Sequence, residues 1–329
     1  MRDPLPRLPL VSAALLSATL LLAAQLASPM AAQAPATAAA ASTSATPAAP
    51  AAAAAPSAPA AAVASAPPAA APAAPAVPPA AATSDPKAVA VAEASLKAMG
   101  GKAAWEGTHF LRFTFAGRRT HYWDKWSGRH RLEGKTKEGE SYVVLDNLNT
   151  RKGIAYIAGK PVEGEKGAKL VEGSYGAWVN DTYWLLMPYK LEDPGVNLAY
   201  AGPQQVDGKD YEEISLTFGP VGLTPGDHYS AWFNRDTHLM DRWAYVLQDQ
   251  PRDAAPTVWL WQGWQRYGKI MLAPHRVQPD GQKKLELSDI LVAAVVPDTV
   301  FTSPAPAAPI QPEPAAAAAA GGAARTSRR

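Results

Sequence analysis

Lys169 to Met187 reads KLVEGSYGAWVNDTYWLLM and is followed by Pro188. Leu170, Trp178, Val179, Thr182, Leu185 and Leu186 fall largely on one side of a helix, and the proline stops it. The chain around this helical segment reads as antiparallel strands cut by turns. Upstream, Arg119 to Trp126 passes through Ser127-Gly128 into Arg129 to Glu133. Ser141 to Leu148 turns at Asn149-Thr150 and returns from Gly153 to Ala158, and Pro161 to Gly167 is a loop. Downstream, strands are expected over Val196 to Ala201, Tyr211 to Phe218, His228 to Asn234, Leu239 to Gln248, Thr257 to Arg266, Lys269 to Val277 and Lys284 to Val296.

A second helix opens this region. Asp85-Pro86 supplies an N-cap and a proline at the first helical position, Val89, Ala92, Leu96 and Met99 recur on one face, and Gly100-Gly101 ends it. The period then switches to two: Leu111, Phe113 and Phe115 alternate with Phe110, Arg112 and Thr114, a half-buried strand. No βα alternation and no Gly-rich phosphate loop appear, which argues against a parallel doubly wound sheet. Two helices among so many strands give an α+β fold. A flat sheet of that width would curl, so the expected form is a large curved antiparallel sheet, an unclosed half-barrel with helices packed in its concave face.

The ends of the chain differ in kind from this domain. Met1 to Arg7 is short and weakly basic, and Leu8 to Leu26 carries no charge, the layout of an export signal; the run is also long enough to serve as an uncleaved anchor. Residues 1–34 are therefore read as signal peptide or membrane anchor, 35–84 as an Ala/Pro-rich linker, 85–302 as the folded domain and 303–329 as a disordered Ala/Pro-rich tail. The expected location is the periplasm or cell envelope, at the inner membrane if the signal stays on. The chain has no cysteine, so it offers neither a disulfide framework nor a thiol nucleophile. The domain carries 26 basic and 27 acidic residues, a balance that leaves nucleic acid without a basic surface, and it holds all ten Trp. Aromatic weight without net charge points to an apolar ligand or a large apolar core.

Polar candidates for chemistry are scattered. Asp236, His238 and Asp241, or Asp227 with His228, offer metal-ligand atoms, but Asn234 to Thr237 reads as a turn and adjacent strand residues face apart. His121 and Asp124 likewise face apart. Ser174-Tyr175-Gly176 lacks the first glycine of a nucleophile elbow, since Glu172 stands there. Glu133, Glu140 and Asp146 could converge as paired carboxylates only through the fold. Asn180-Asp181, beside Trp178, Tyr183 and Trp184, reads as a helix-to-sheet hydrogen bond or a polar latch.

The run from Trp178 through Pro188, continuing by Lys190-Leu191 to Asp193-Pro194-Gly195-Val196, resembles a stretch of exported bacterial proteins related to the LolA/LolB lipoprotein-sorting group. Asp289-Ile290-Leu291 through Val296-Pro297-Asp298 to Phe301 resembles the way such domains close. The resemblance implies an open antiparallel barrel with a helical lid over an apolar cavity for acyl chains. The residues expected to line it are Leu111, Phe113, Phe115, Trp178, Leu185, Ile214, Leu216, Phe218, Trp243 and Trp259. The function expected is a non-enzymatic carrier of lipid or lipoprotein acyl chains, with no cofactor and no metal. The alternatives are a protein-interaction module on a spacer, meeting an envelope protein, and an envelope hydrolase. The chain is expected to be monomeric, with membrane contact through its N-terminal segment.

Overall fold

The computed structural model describes residues 84–251 and 253–315. The signal or anchor read in 1–34 and the linker up to residue 83 lie outside them. Helix α1 (Pro86–Ala98) and a short α2 (Lys102–Glu106) precede six strands: β1 (Phe110–Phe115), β2 (Arg119–Asp124), β3 (Arg129–Lys135), β4 (Ser141–Asn147), β5 (Lys152–Ile157) and β6 (Lys160–Val162). Then come α3 (Gly164–Leu186), β7 (Val196–Val206), β8 (Lys209–Phe218), β9 (His228–Asn234), β10 (Met240–Val246) and β11 (Thr257–Gln262). The chain closes with β12 (Gln265–Tyr267), β13 (Ile270–Leu272), β14 (His275–Val277), β15 (Lys284–Ala293) and α4 (Thr299–Thr302).

Thirteen strands form one open antiparallel sheet in the order β6-β5-β4-β3-β2-β1-β15-β14-β11-β10-β9-β8-β7. This is the expected half-barrel. Two meanders run outward from a central pair in which β1 lies against β15, Leu111 opposite Val292. Their free edges are β6 and β7, and α3 connects the two. At 1.5 Å per residue its 23 residues reach roughly 35 Å, enough to cross the face of the sheet.

Local chemistry explains the elements. The Asp85 carboxylate accepts from the Lys87 amide at 2.8 Å and caps α1. Ala88, Ala92 and Ser95 are small enough to seat this helix against β7 and β8. It stops at Gly100, whose φ of +121° suits glycine and where a Cβ would stand 2.5 Å from the Lys269 carbonyl oxygen. Helix α3 begins five residues earlier than its apolar spacing suggests. Two glycines and the absence of a side-chain cap hide its first turn, yet Gly167 packs so closely that a Cβ there would meet the Val162 carbonyl at 2.0 Å. The single strands expected over 257–266 and 269–277 are both broken: Gly263, with positive φ, stands between β11 and β12, Ala273-Pro274 parts β13 from β14, and Gly268 turns β12–β13 as a separate hairpin off the main sheet.

Strand β1 is covered on both faces rather than one. Leu111 and Phe113 pack beneath α1 and α3, while Phe110 on the opposite face meets Phe301 edge-on. What covers that second face is α4 together with residues 303–315, the beginning of the segment expected to be a disordered tail. Ile310 is buried against Phe110, Tyr122 and Leu291, and the Glu313 amide bonds the Val292 carbonyl at 2.8 Å. The fully buried Arg131 guanidinium donates to the carbonyls of Ser303 at 2.5 Å and Ala305 at 2.7 Å. The domain boundary therefore lies beyond 302. A Pro-rich strand of low complexity builds no core of its own, but it can lie extended on one already present.

Candidate functional site

Parity along each strand decides what α3 covers. Odd residues of β1 and β2 and even residues of β3 and β4 point to its side, because the pairs His121 with Leu132 and His130 with Asp146 stand opposite each other in register. On the other half of the sheet the same face carries Ile214, Leu216, Trp243, Trp259 and Trp261.

Of the ten residues expected to line a cavity, eight lie on this face of the sheet and two, Trp178 and Leu185, on the helix that covers it. Leu111, Phe113, Phe115 and Leu185 join one apolar cluster; Ile214, Leu216, Phe218, Trp243 and Trp259 join its neighbour, and Trp264 and Leu285 pack against both. Trp178 meets Trp123 edge-on at 5.1 Å. The space between sheet and helix is occupied by α3 itself. Tyr183 packs against Phe218, Tyr229 and Trp243, and Trp184 against Trp243, Tyr245, Trp259 and Phe115, with ring centroids 5.0 to 6.4 Å apart. The floor is buried, whereas Phe115, Tyr183, Trp184, Phe218, Tyr229 and Tyr245 are only half-buried at its rim. The indole N–H groups of Trp178, Trp243 and Trp261 are buried and have no hydrogen-bond partner among the described residues. An open groove of ≈ 710 Å³ lies between the first turns of α3 and β5–β6, lined among others by Ile154, Val162 and Val171; none of the ten residues borders it.

Two polar ties hold the C-terminal half of α3. Arg276, fully buried on β14 and stacked 3.3 Å over Trp261, donates Nε at 3.1 Å and Nη2 at 2.5 Å to the Trp184 carbonyl. Its Nη1 bonds the Ala273 and His275 carbonyls. Burial draws the Arg276 pKa well below the usual guanidinium range. No carboxylate stands within ion-pairing distance of it among the described residues, so these carbonyl dipoles hold its charge.

The second tie is Asp181. Its carboxylate receives Arg119 Nε at 2.5 Å and Nη2 at 2.7 Å, and His121 Nε2 at 2.8 Å. Burial alone would raise the Asp181 pKa, but these hydrogen bonds outweigh it and hold the group below the usual carboxylate range. Burial likewise dominates at His121, pushed down to about 4 in spite of Asp181. Behind His121 the contacts continue: His121 Nδ1 to His130 Nε2 at 3.0 Å, and His130 Nδ1 to Asp146 Oδ1 at 2.8 Å and to Ser174 Oγ at 3.3 Å. The strand-parity rule that separated His121 from Asp124 would have aligned His130 with Asp146 across the Ser141 to Leu148 strand, had the register been known.

The remaining sequence candidates do not assemble. Asp124 caps its own turn through Ser127 and pairs with Arg129. Asp227 accepts from Thr224 and Tyr229 while His228 is exposed, and Asn234 Oδ1 closes the turn through the amides of Asp236 and Thr237. Glu133 pairs with Arg131 on the face opposite Asp146, and Glu140 is exposed in the β3–β4 turn. Ser174 is buried and shares His130 Nδ1 with a carboxylate, an arrangement unsuited to a nucleophile. Among the described residues no three His, Asp or Glu side chains are placed to share a metal ion, and no helix is long and apolar enough to cross a membrane.

No family model and no curated protein matches the chain. Solved structures similar to it include a DUF1329 family protein from Desulfovibrio piger, 13% identical over 65% of this chain and 96% of its own, with a TM-score of 0.36. Another is a LolA superfamily protein from Nitrosomonas europaea, 10% identical over 66% of this chain and 97% of its own, with a TM-score of 0.31. The group that the Trp178–Val196 stretch resembles is thus represented among them.

Proposed function

We propose that the domain is a non-enzymatic carrier of the cell envelope that takes an acyl chain of a lipid or lipoprotein into the aromatic bay beneath α3. Residues 1–34 would deliver or anchor it and 35–84 would serve as its spacer. The observation that carries this reading is the bay itself. A floor of Ile214, Leu216, Trp243 and Trp259 is ringed by half-buried aromatic side chains and filled by two rings, Tyr183 and Trp184, of a helix held at two polar ties. Lifting that helix section uncovers apolar surface that an acyl chain would cover again. At about 25 cal/mol per Å², about 300 Å² of chain contributes roughly 7 kcal/mol before ordering costs. The Trp243 indole N–H, buried in the floor without a partner among the described residues, adds a donor for an ester or amide carbonyl of such a chain.

A second reading, a protein-interaction module, is favoured by the opposite end of β2. Trp126 is 62% exposed, stacks on His109 at 4.2 Å and is held by its Nε1 to the Glu106 carbonyl. A ring fixed outward in this way suits a protein contact. Native mass spectrometry of full-length protein purified gently from its own envelope separates the two. Copurifying lipid, with uptake of a fluorescent fatty acid, supports the carrier. Protein partners lost on Trp126→Ala, without any lipid, support the module.

A further inference from the structure

The line of contacts Asp181, His121, His130, Asp146 runs under α3 from β2 to β4, and its hydrogens can be counted. Three contacts join four groups: carboxylate to imidazole at 2.8 Å, imidazole to imidazole at 3.0 Å, imidazole to carboxylate at 2.8 Å. Each needs one hydrogen between its two heavy atoms. Two neutral imidazoles bring two, and ionised carboxylates bring none. With His121 donating to Asp181, His130 must donate to His121, and the His130 Nδ1 lone pair then faces the Asp146 carboxylate. Reversing both rings moves the same conflict to Asp181. Ser174 does not relieve it, since its hydroxyl approaches the same nitrogen at 3.3 Å.

We infer that this chain is a buried proton site: with α3 seated it holds one proton more than two neutral imidazoles supply, shared between His130 and Asp146. Charge balance agrees. Arg119 offsets Asp181, and the extra proton offsets Asp146, which has no other side-chain partner and whose side chain is 3% exposed. Without that proton the site would bury a net negative charge, a costly arrangement in a low-dielectric interior. The groups facing the pair are Arg119 from β2, Tyr142 and Asp146 from β4, and Asp181 and Ser174 from α3. β1 contributes the Phe113 ring, stacked 4.8 Å from His121, and β5 contributes Gly153 behind Asp146, neither of which titrates. Because Arg119 already offsets Asp181 while Asp146 has only His130 beside it among the described side chains, the proton belongs to the His130 end.

The consequence concerns the helix. Asp181 and Ser174 belong to α3, so lifting it admits water to the chain, where Asp146 no longer needs the proton. The seated form therefore binds that proton more tightly than the lifted one. Seating is fully supported where both forms hold the proton and is withdrawn as pH rises, about tenfold per pH unit over the range in which the seated form keeps a proton that the lifted form has released, the slope of a single linked proton. None of this depends on which ligand enters the bay.

The test uses full-length protein with ¹⁵N-labelled histidine, assigned with His121→Gln. At pH 6 both ring nitrogens of His130 are expected to carry hydrogen while His121 carries one, on Nε2. Two neutral rings at that pH would overturn the proposal. Hydrogen exchange of the amides from Ser174 to Leu186, followed from pH 6 to 9 and corrected for intrinsic rates, reads the helix. Its opening is expected to rise with pH with a slope near one. Asp146→Asn supplies an amide N–H to a neutral His130 and should abolish that slope. If the slope persists in that variant, the site is not where the proton sits; if the variant does not fold, the ring-nitrogen spectrum of the natural sequence alone decides.

Discussion

The Asp181 carboxylate on α3 and the Arg119 guanidinium on β2 form a two-pronged pair at 2.5 and 2.7 Å, with the Asp181 side chain fully removed from water and that of Arg119 27% exposed. Removing one member of a buried pair leaves the other charge uncompensated, at a cost of about 3–5 kcal/mol. Asp181→Asn is therefore expected to lower stability by about 3 kcal/mol in urea unfolding, with Arg119→Met and Asp181→Asn together costing less than the sum of the single changes. A loss below about 0.5 kcal/mol, the range of ordinary surface substitutions, would show that the pair does not hold the helix.

Acid weakens the same tie through His121. Its imidazole is lowered from 6.5 to about 4 in the folded protein, so the folded state binds fewer protons than the unfolded chain between those values. Stability is therefore expected to fall as pH drops from 6.5 toward 4, by about 3 kcal/mol if the whole shift is realised. Asp181, also held low, adds a further loss below its unfolded value of 3.8 as pH falls through the folded one. Urea midpoints measured at half-unit steps check this, and His121→Gln should flatten the upper part of the curve.

Arg276 is expected to tolerate no replacement that keeps only its charge. Lysine can reach one carbonyl but not the four hydrogen bonds to Trp184, Ala273 and His275, nor the stack on Trp261. Arg276→Lys should raise hydrogen exchange at the end of α3 and cost about 2 kcal/mol or more, in the range of a lost buried hydrogen-bond network. Unchanged exchange at residues 181 to 187 would assign Arg276 to the sheet around β14 rather than to the helix.

Much of the fold was legible in the sequence because it rests on local signals. Asp85-Pro86 and Gly100 bound α1 where capping chemistry places them, and the alternation in Tyr211 to Phe218 gives β8 its buried Ile214 and Leu216. Asn180-Asp181 was readable as a helix-to-sheet bond, which it makes. The chain of His121, His130, Asp146 and Asp181 was not readable, because sixty residues separate His121 from Asp181 and only strand register and the seating of α3 bring the four together. The filled bay was hidden for a similar reason: Tyr183 and Trp184 look like core residues of a helix until the strands they meet are known. Composition misled at the C-terminal end, where Ala and Pro gave no sign that Ile310 has a buried seat waiting beside Phe110.

That seat gives a truncation test. A chain ending at residue 302 loses the Ser303 and Ala305 carbonyls that hold Arg131 and uncovers Phe110 and Leu291. Its thermal midpoint is expected to drop, by the equivalent of about 3 kcal/mol or more from unpaired buried donors and lost apolar cover. A chain ending at 315 should match the full-length protein. Equal midpoints for both truncations would mean that residues 303–315 contribute nothing.

Tryptophan emission tests the bay most directly, since the Trp184 ring stands there 5.0 Å from that of Trp243 and 5.3 Å from that of Trp259, centre to centre. A fatty acid brominated along its chain quenches indoles it touches. Titrated into the full-length protein, it is expected to quench emission saturably, with most of that quenching lost in a Trp243→Phe, Trp259→Phe variant and an unbrominated chain competing it away. Emission that stays constant up to the solubility limit of the fatty acid, or falls without saturation in both proteins alike, would contradict an acyl site beneath α3.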